Sequence, residues 1–292
     1  MQHVQAADAL TQPSSRSRKR IVVLLLALLV AFGAAAGAWK YYSFYYHTTR
    51  QESSGTVKRG FFETTLRGKP VKLLIYQQEK PVNQQLVFFT SGDGGWSPFC
   101  ADIAAHLAEK GKTVVALDVK NYLTTFHSPE KPATFDELTQ DYTELINASL
   151  ARPGVDAKQR VTLAGWSLGA GYSILIAGRP EMKPRVGRVL AVSLPVFNQL
   201  AWKTSDAIIY VTKGVPDEKT FDAHDIIAQL APVPLYIFNA SNDDTAPLKD
   251  AQSLLAKAGE PKQLIIANAN GHHFEGGEAE FYQKLDESFA NR

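Results

Sequence analysis

The sequence predicts an α/β fold, with a mostly parallel central sheet covered by helices on both faces. Short apolar runs such as Leu86-Val87-Phe88-Phe89 continue without polar alternation, which is typical of strands buried on both sides. Between these runs lie segments with helical spacing of apolar residues, as in 135–151. The chain has 292 residues, and one domain over residues 57–292 accommodates the whole alternating pattern.

Three segments precede this domain. Residues 1–20 form a polar tail that ends in a basic cluster, and residues 21–38 carry no charge. An uncharged run of this length is a candidate transmembrane anchor, and the basic cluster before it predicts a cytoplasmic tail. Residues 39–56 are then a periplasmic linker that begins with aromatic residues.

The alternative for this N-terminal region is a signal peptide that is removed. Small residues at 34–36 or 36–38 would then form the cleavage site, and the domain would be secreted to the periplasm. In the first case the protein is a single-pass protein of the bacterial inner membrane.

Charge and cysteine content exclude several classes of protein. The net charge is +2, but residues 1–20 hold four basic residues and one acidic residue, so the rest is nearly neutral. This balance argues against a nucleic-acid partner. Cys100 is the one cysteine, so a disulfide within the chain is excluded. We expect neither a cofactor nor a metal, because no Gly-Lys-Ser/Thr phosphate loop and no third metal ligand with suitable spacing is present.

The elements of the domain follow from turn and cap signals. A Gly-Lys-Pro turn separates the first two strands, and Gly111 ends the first helix. Strands are predicted at 61–66, 71–76, 85–90, 113–119, 160–164, 188–194, 234–239 and 263–267, and helices at 98–110, 135–151, 170–177, 223–230, 248–258 and 278–290. The stretch 195–222 is less regular and is a candidate lid.

The strand at 160–164 leads into Gly165-Trp166-Ser167-Leu168-Gly169, and a small-residue helix follows. Strand, sharp turn and helix are the context of a nucleophile elbow, in which Ser167 is exposed at the tip of the turn. The glycines allow the close approach that this turn requires. The alternative is a serine that only caps the following helix.

Two further strands end in residues suited to acyl transfer. Ser91-Gly92-Asp93-Gly94-Gly95-Trp96 follows one strand, and its backbone can approach a ligand closely. We assign the oxyanion donors to the backbone N–H groups of Asp93 and Leu168. A plain glycine-rich turn is the alternative.

An acid and a base come from the last two strands. Asp243 follows the strand at 234–239 and could orient a histidine; Asp244 is the fallback, and both could simply be turn residues. His272, in Gly-His-His-Phe after the last strand, is the candidate base, with His273 as its alternative.

The order Ser167, Asp243, His272 along the chain is that of α/β-hydrolase triads. We therefore predict an α/β-hydrolase with these three catalytic residues. Trp96, Trp166 and Tyr122 are candidate substrate-binding residues. Trp96 is expected to line the entrance and Trp166 to pack beside the nucleophile. Tyr122 is expected either to line the substrate pocket or to cover the core.

These motifs resemble the VirJ/AcvB family of bacterial virulence proteins, which are α/β-hydrolases. The resemblance rests on the Ser91–Trp96 loop, the Gly165–Gly169 elbow and Gly271-His272-His273-Phe274, and it spans about residues 84–290. It implies a periplasmic, membrane-associated enzyme that hydrolyses aminoacyl-phosphatidylglycerol, such as the lysyl or alanyl form. It also implies a link to type IV secretion and virulence, with secretion-system proteins as partners.

We therefore expect a serine ester hydrolase that cleaves the aminoacyl ester of a membrane phospholipid through an acyl-enzyme. The alternatives are a general carboxylesterase, lipase or thioesterase, and a secretion or envelope interaction protein that keeps the fold as a scaffold.

Overall fold

The structure, a computed structural model, describes residues 15–46, 57–203 and 218–290. Its strands are β1 (Val57–Leu66), β2 (Lys69–Gln78), β3 (Gln85–Thr90), β4 (Lys112–Leu117), β5 (Val161–Trp166), β6 (Val186–Val192), β7 (Phe197–Gln199), β8 (Thr220–Asp222), β9 (Leu235–Asn242) and β10 (Lys262–Asn270). Its helices are α1 (Ser15–Tyr46), α2 (Pro98–Glu109), α3 (Val119–Phe126), α4 (Phe135–Leu150), α5 (Leu168–Gly178), α6 (Ala223–Ile226), continued by a 3₁₀ turn (Ile227–Leu230), α7 (Leu248–Lys257) and α8 (Glu278–Ala290).

Eight strands form one sheet in the order β1-β2-β4-β3-β5-β6-β9-β10. Six neighbouring strands of this sheet are parallel to one another: β4, β3, β5, β6, β9 and β10. The β1–β2 hairpin extends the sheet beside β4, and β2 pairs with β4 in antiparallel orientation. β7 and β8 pair separately as a short antiparallel ribbon. The mostly parallel sheet expected from the continuous apolar runs is confirmed.

The core lies in two layers, one on each face of the sheet. On one face, α2 and α8 bury aromatic side chains such as Phe99 and Phe281. On the other face, α3 to α7 cover the sheet with side chains such as Tyr142 and Leu254. Burial on both faces explains why the central strands are apolar at every position.

The connections of β3 and β5 diverge, and this divergence positions the site. β3 continues into α2 on one face of the sheet, whereas the neighbouring β5 continues into α5 on the other. Thr90 and Gly165 are paired at the carboxyl ends of these two strands. The loops that follow them therefore separate around a crevice, which is where α/β sheets bind ligands.

Two elements were not predicted. Val119 was assigned to the preceding strand, but it begins α3, because the Asp118 side chain accepts the N–H of Asn121 and caps a helix there. The β7–β8 ribbon lies in the stretch expected to be irregular. Residues 204–217 of that stretch, like the tail 1–14 and the linker residues 47–56, lie outside the described residues.

Helix α1 contains the uncharged run that was expected to be an anchor at 21–38. In the part of the chain that the structure describes, no helix has both the length and the apolar character needed to span a membrane. The transmembrane part of the predicted fold is therefore not supported.

Candidate active site

Ser167 lies at the sharp turn between β5 and α5. Its backbone has φ 55° and ψ −123°, a left-handed conformation that is costly for a residue with a side chain. Its side chain makes no capping hydrogen bond to α5. The serine therefore does not act as a helix cap, and its strained turn needs another explanation.

The glycines at either side of Ser167 are required by close packing. A Cβ at Gly169 would lie 2.1 Å from the carbonyl oxygen of Thr90, and one at Gly165 would lie 2.2 Å from backbone atoms of Gly169. Both distances are far inside van der Waals contact. The spacing of the motif thus reflects the approach of α5 to the ends of β3 and β5.

The glycine loop, residues 91–96, lies directly on this turn. A Cβ at Gly92 would lie 2.8 Å from the ring of Trp166 and 3.5 Å from the Cβ of Ser167. Gly95 donates its N–H to the carbonyl of Gly92 at 2.9 Å, which closes a tight turn with Asp93 near its centre. Asp93 is buried. The two residues expected to supply oxyanion donors, Asp93 and Leu168, therefore flank Ser167 on the glycine loop and at the start of α5.

Asp243 and His272 are brought together although 29 residues separate them. Asp243 Oδ2 lies 2.8 Å from His272 Nδ1, and both side chains are buried. The other carboxylate oxygen of Asp243 accepts the N–H groups of Thr245 and Ala246, each at 2.9 Å. Asp244, the fallback acid, is exposed.

The carboxylate of Asp243 is held in its charged form. Burial by itself raises the pKa of Asp243, but the charge and hydrogen bond of His272 and the N–H groups of Ala246 and Thr245 outweigh this effect. The pKa therefore lies below its ordinary value. Such a carboxylate fixes the orientation of the imidazole and stabilises its protonated form.

Trp166 connects the histidine to the nucleophile turn. Its ring N–H donates to the carbonyl of His272 at 3.0 Å, and the two ring centroids are 5.1 Å apart. Trp166, a candidate substrate-binding residue, is fully buried, so it packs beneath the site and does not face solvent. Ser167 and His272 are thus neighbours of the same indole.

His273, the alternative base, has a different environment. It packs edge-on against Phe99 and its Nδ1 lies 3.5 Å from Glu275 Oε1. Burial lowers the pKa of His273, and this outweighs the opposite effect of Glu275. His273 is therefore a neutral packing residue near neutral pH.

Two further residues were expected near the substrate. Trp96 is partly exposed beside the glycine loop, which agrees with a position at an entrance. Tyr122 is instead buried, and its hydroxyl donates to Asp141 at 2.6 Å and lies 3.2 Å from His127. We therefore correct its assignment as a pocket residue. Its hydroxyl is hydrogen-bonded inside the core, which is the second of its two expected positions.

Tyr76 and Asp118 were not assigned to the site, yet both contact the glycine loop. The Tyr76 hydroxyl accepts the ring N–H of Trp96 at 3.2 Å, and Asp118 Oδ2 accepts the backbone N–H of Trp96, also at 3.2 Å. An acidic residue at a strand end, followed by a short amphipathic segment, was the available signal for Asp118. Tyr76 carries no comparable signal, because it reads as an ordinary strand residue.

No group of three or more potential metal ligands occurs among the described residues. The chemistry that these residues can supply is a serine on a strained turn at a helix N-terminus, with a carboxylate-oriented imidazole nearby.

The family described as "Bacterial virulence protein (VirJ)" matches residues 84–292. The chain belongs to the VirJ family. The match covers the glycine loop, the nucleophile turn, Asp243 and His272, as the resemblance in these motifs indicated. Among curated proteins, this chain is 22% identical to the uncharacterized protein YfhR of Escherichia coli K12 over 173 residues, which are 59% of its length. It spans 57% of the length of YfhR.

Solved structures similar to this chain include Est1E from Butyrivibrio proteoclasticus, which is 12% identical with a TM-score of 0.57, and the match covers 79% of this chain and 98% of the other. A dienelactone hydrolase from Anabaena variabilis is 15% identical, with a TM-score of 0.57 and coverage of 80% and 98%. A cold-adapted esterase from an Arctic intertidal metagenomic library is 14% identical, with a TM-score of 0.54 and coverage of 82% and 95%. At this level of identity they establish the α/β-hydrolase fold.

Proposed function

We propose that the protein is a serine ester hydrolase with Ser167 as nucleophile, His272 as general base and Asp243 as the acid that orients it. The observation that carries this proposal is the 2.8 Å pair of Asp243 and His272, with His272 packed against Trp166, the residue that precedes a serine held at φ 55°. A strained serine at a helix N-terminus, a neighbouring imidazole and a buried carboxylate are the three parts that acyl transfer to serine requires.

In the proposed reaction, Ser167 Oγ attacks the ester carbonyl while His272 takes its proton. The backbone N–H groups of Leu168 and Asp93 bind the tetrahedral oxyanion. His272 then returns the proton to the departing alcohol oxygen, and an acyl-enzyme remains. Water, deprotonated by the same imidazole, releases the acid and restores the serine.

For the substrate we propose the aminoacyl ester of phosphatidylglycerol. Membership of the VirJ family supports this substrate through the resemblance described above. The esterase and the dienelactone hydrolase among the similar structures support ester cleavage in general. In this lipid the acyl group is an amino acid and the leaving group is a glycerol hydroxyl, so Ser167 would be transiently aminoacylated.

We further propose that the enzyme acts on the periplasmic side of the bacterial inner membrane. In support, α1 exposes large apolar side chains from Val23 to Trp39, and Leu29 and Phe32 are 67% and 75% exposed. Membership of the VirJ family also supports this location, because the resemblance described above implies a periplasmic, membrane-associated enzyme. Fusion of a periplasm-dependent reporter after residue 292 tests this location, and a fusion that is expressed at its full length but has no reporter activity would reject it.

The nucleophile is tested with Ser167→Ala, using release of amino acid from aminoacyl-phosphatidylglycerol vesicles and labelling by a fluorophosphonate. Loss of an activated nucleophile lowers the rate by several orders of magnitude, and labelling should disappear. Turnover at the wild-type rate would reject the mechanism.

The chain offers a matched control for this experiment. Ser253 Oγ lies 2.9 Å from His224 Nε2, and His224 Nδ1 lies 2.8 Å from Asp222 Oδ1, so these residues also form a hydrogen-bonded chain. Ser253 lies within α7 and is exposed, without a strained turn or a helix N-terminus beside it. Ser253→Ala should retain full turnover and labelling. Labelling that disappears in Ser253→Ala and persists in Ser167→Ala would show that Ser253 is the nucleophile and would reject the proposal for Ser167.

A general carboxylesterase, lipase or thioesterase is the second candidate, and the esterases among the similar structures favour it. Rapid hydrolysis of p-nitrophenyl esters with no release from the aminoacyl lipid would select it. If the protein is instead a scaffold for a secretion system, Ser167→Ala should leave the phenotype of the cell unchanged.

A further inference from the structure

Asp118 joins two elements at the edge of the site. Its Oδ2 accepts the backbone N–H of Trp96 at 3.2 Å, and its Oδ1 accepts the N–H of Asn121 at 3.0 Å. The first bond holds the end of the glycine loop, and the second holds the first turn of α3. One carboxylate thus fixes the loop to the start of a helix.

Ser91 makes the corresponding connection at the other end of the loop. Its Oγ accepts the N–H of Val119 at 3.0 Å and donates to the carbonyl of Gly92 at 3.1 Å. Its own N–H donates to the carbonyl of Leu117 at 3.1 Å. Both ends of the glycine loop are therefore attached to the corner between β4 and α3.

The turn between these attachments lies between Asp118 and Ser167. Gly95 has φ +92°, and a Cβ there would lie 3.1 and 3.2 Å from the two carboxylate oxygens of Asp118. On the opposite side, a Cβ at Gly92 would lie 3.5 Å from the Cβ of Ser167. A shift of the Asp118 carboxylate would therefore move the turn that carries Asp93.

We propose that Asp118, together with Ser91, is a positioning residue that holds the backbone N–H of Asp93 where the oxyanion of the substrate forms. The assignment rests on the proposed function of the site. Oxyanion donors are effective because they are fixed before the reaction begins. A displacement of about 1 Å at such a position can lower the rate by about 100-fold.

The attachment itself is tested without reference to activity. In Asp118→Ala, hydrogen exchange of the backbone amides in a peptide covering residues 91–97 should become faster than in the wild type. Thr134→Ala is the matched control, because Thr134 also caps a helix, accepting the N–H of Glu137 at 3.2 Å, but on α4. Thr134→Ala should leave exchange in this peptide unchanged. Equal exchange in Asp118→Ala and the wild type would overturn the proposal, whatever the protein catalyses.

The consequence for catalysis is tested with a p-nitrophenyl ester and with a boronic acid that forms a tetrahedral adduct with serine. Asp118→Ala should lower kcat by about 10- to 100-fold with little change in KM. The binding affinity of the boronic acid should fall by a similar factor. Asp118→Asn keeps one acceptor oxygen and should lie between Ala and the wild type. Ser91→Ala should act in the same direction, and the double variant should lose less than the product of the two effects.

The two proposals fail in different ways. Turnover that survives Ser167→Ala rejects the proposed mechanism, while the exchange experiment still decides whether Asp118 holds the loop. If Ser167→Ala is inactive and Asp118→Ala changes only thermal stability, to the same extent as Thr134→Ala, the positioning role is wrong.

Discussion

Asp243→Asn is the sharpest test of the candidate triad, because it changes one atom. The remaining oxygen can still accept the N–H groups of Thr245 and Ala246, both at 2.9 Å. The amide NH₂ must then take the place of Oδ2, 2.8 Å from His272 Nδ1. It donates to that nitrogen, so the ring proton moves to Nε2. An imidazole in this tautomer has no acceptor for the proton of Ser167.

The expected loss of kcat is about 10⁴-fold, as for a triad whose histidine is held in the wrong tautomer. At 1.36 kcal/mol per factor of ten, this corresponds to about 5.4 kcal/mol of transition-state stabilisation. The folded state should lose only about 1 to 2 kcal/mol, the difference between a charged and a neutral hydrogen bond. Activity therefore falls far more than stability.

The assay is steady-state hydrolysis of a p-nitrophenyl ester, with urea unfolding measured on the same samples. Asp244→Asn is the matched control, since Asp244 is adjacent but exposed, and it should retain wild-type kcat. Retention of more than about a tenth of kcat by Asp243→Asn would contradict the reasoning, as would an equal loss in Asp244→Asn.

Two other variants, and the pH dependence of Asp243→Asn, are expected to separate stability from catalysis. Gly169→Ala places a Cβ 2.1 Å from the carbonyl oxygen of Thr90, so it should destabilise the fold by about 3 kcal/mol or more, seen as loss of soluble protein or a lower urea midpoint. Arg67→Ala removes the bidentate partner of Asp141 (2.8 and 2.5 Å), a carboxylate 2% exposed. The unfolding free energy should fall by about 2 to 3 kcal/mol, less than for a fully buried pair because Arg67 is 30% exposed, with kcat unchanged. Because the pKa of Asp243 is lowered in the folded state, its carboxylate stabilises the fold above the ordinary pKa of about 3.9, and this contribution is lost as pH falls through the lower folded-state value. Asp243→Asn should therefore weaken the fall in Tm between about pH 5 and pH 2, and a fall as steep as in the wild type would contradict this assignment.

Most strands and helices could be predicted because their signals are local. The strand at Gln85–Thr90 and the helix at Glu278–Ala290 have the bounds that their apolar patterns indicated. Helix α3 was missed, since its eight residues directly follow β4 and Val119 continues the apolar run of that strand. Its beginning depends on a side-chain cap, which hydrophobic pattern does not report.

The nucleophile turn could also be predicted from the sequence, because the glycines that its close packing requires lie within five residues, Gly165 to Gly169. By contrast, motif spacing favoured Asp243 over Asp244 and His272 over His273 but left both alternatives open. Each pair is adjacent in the chain, and which member is buried against the other depends on how β9 and β10 place their following loops.

The sequence by itself determined most of the succession of strands and helices, the strained serine and the order of its partners, because periodicity, glycine spacing and strand ends are properties of neighbouring residues. Only the tertiary structure decided that Asp243 hydrogen-bonds His272, that the Tyr122 hydroxyl hydrogen-bonds Asp141 inside the core and that Asp118 accepts a hydrogen bond from the glycine loop. These contacts join segments 19 to 29 residues apart, so they depend on the packing of the sheet and its helices.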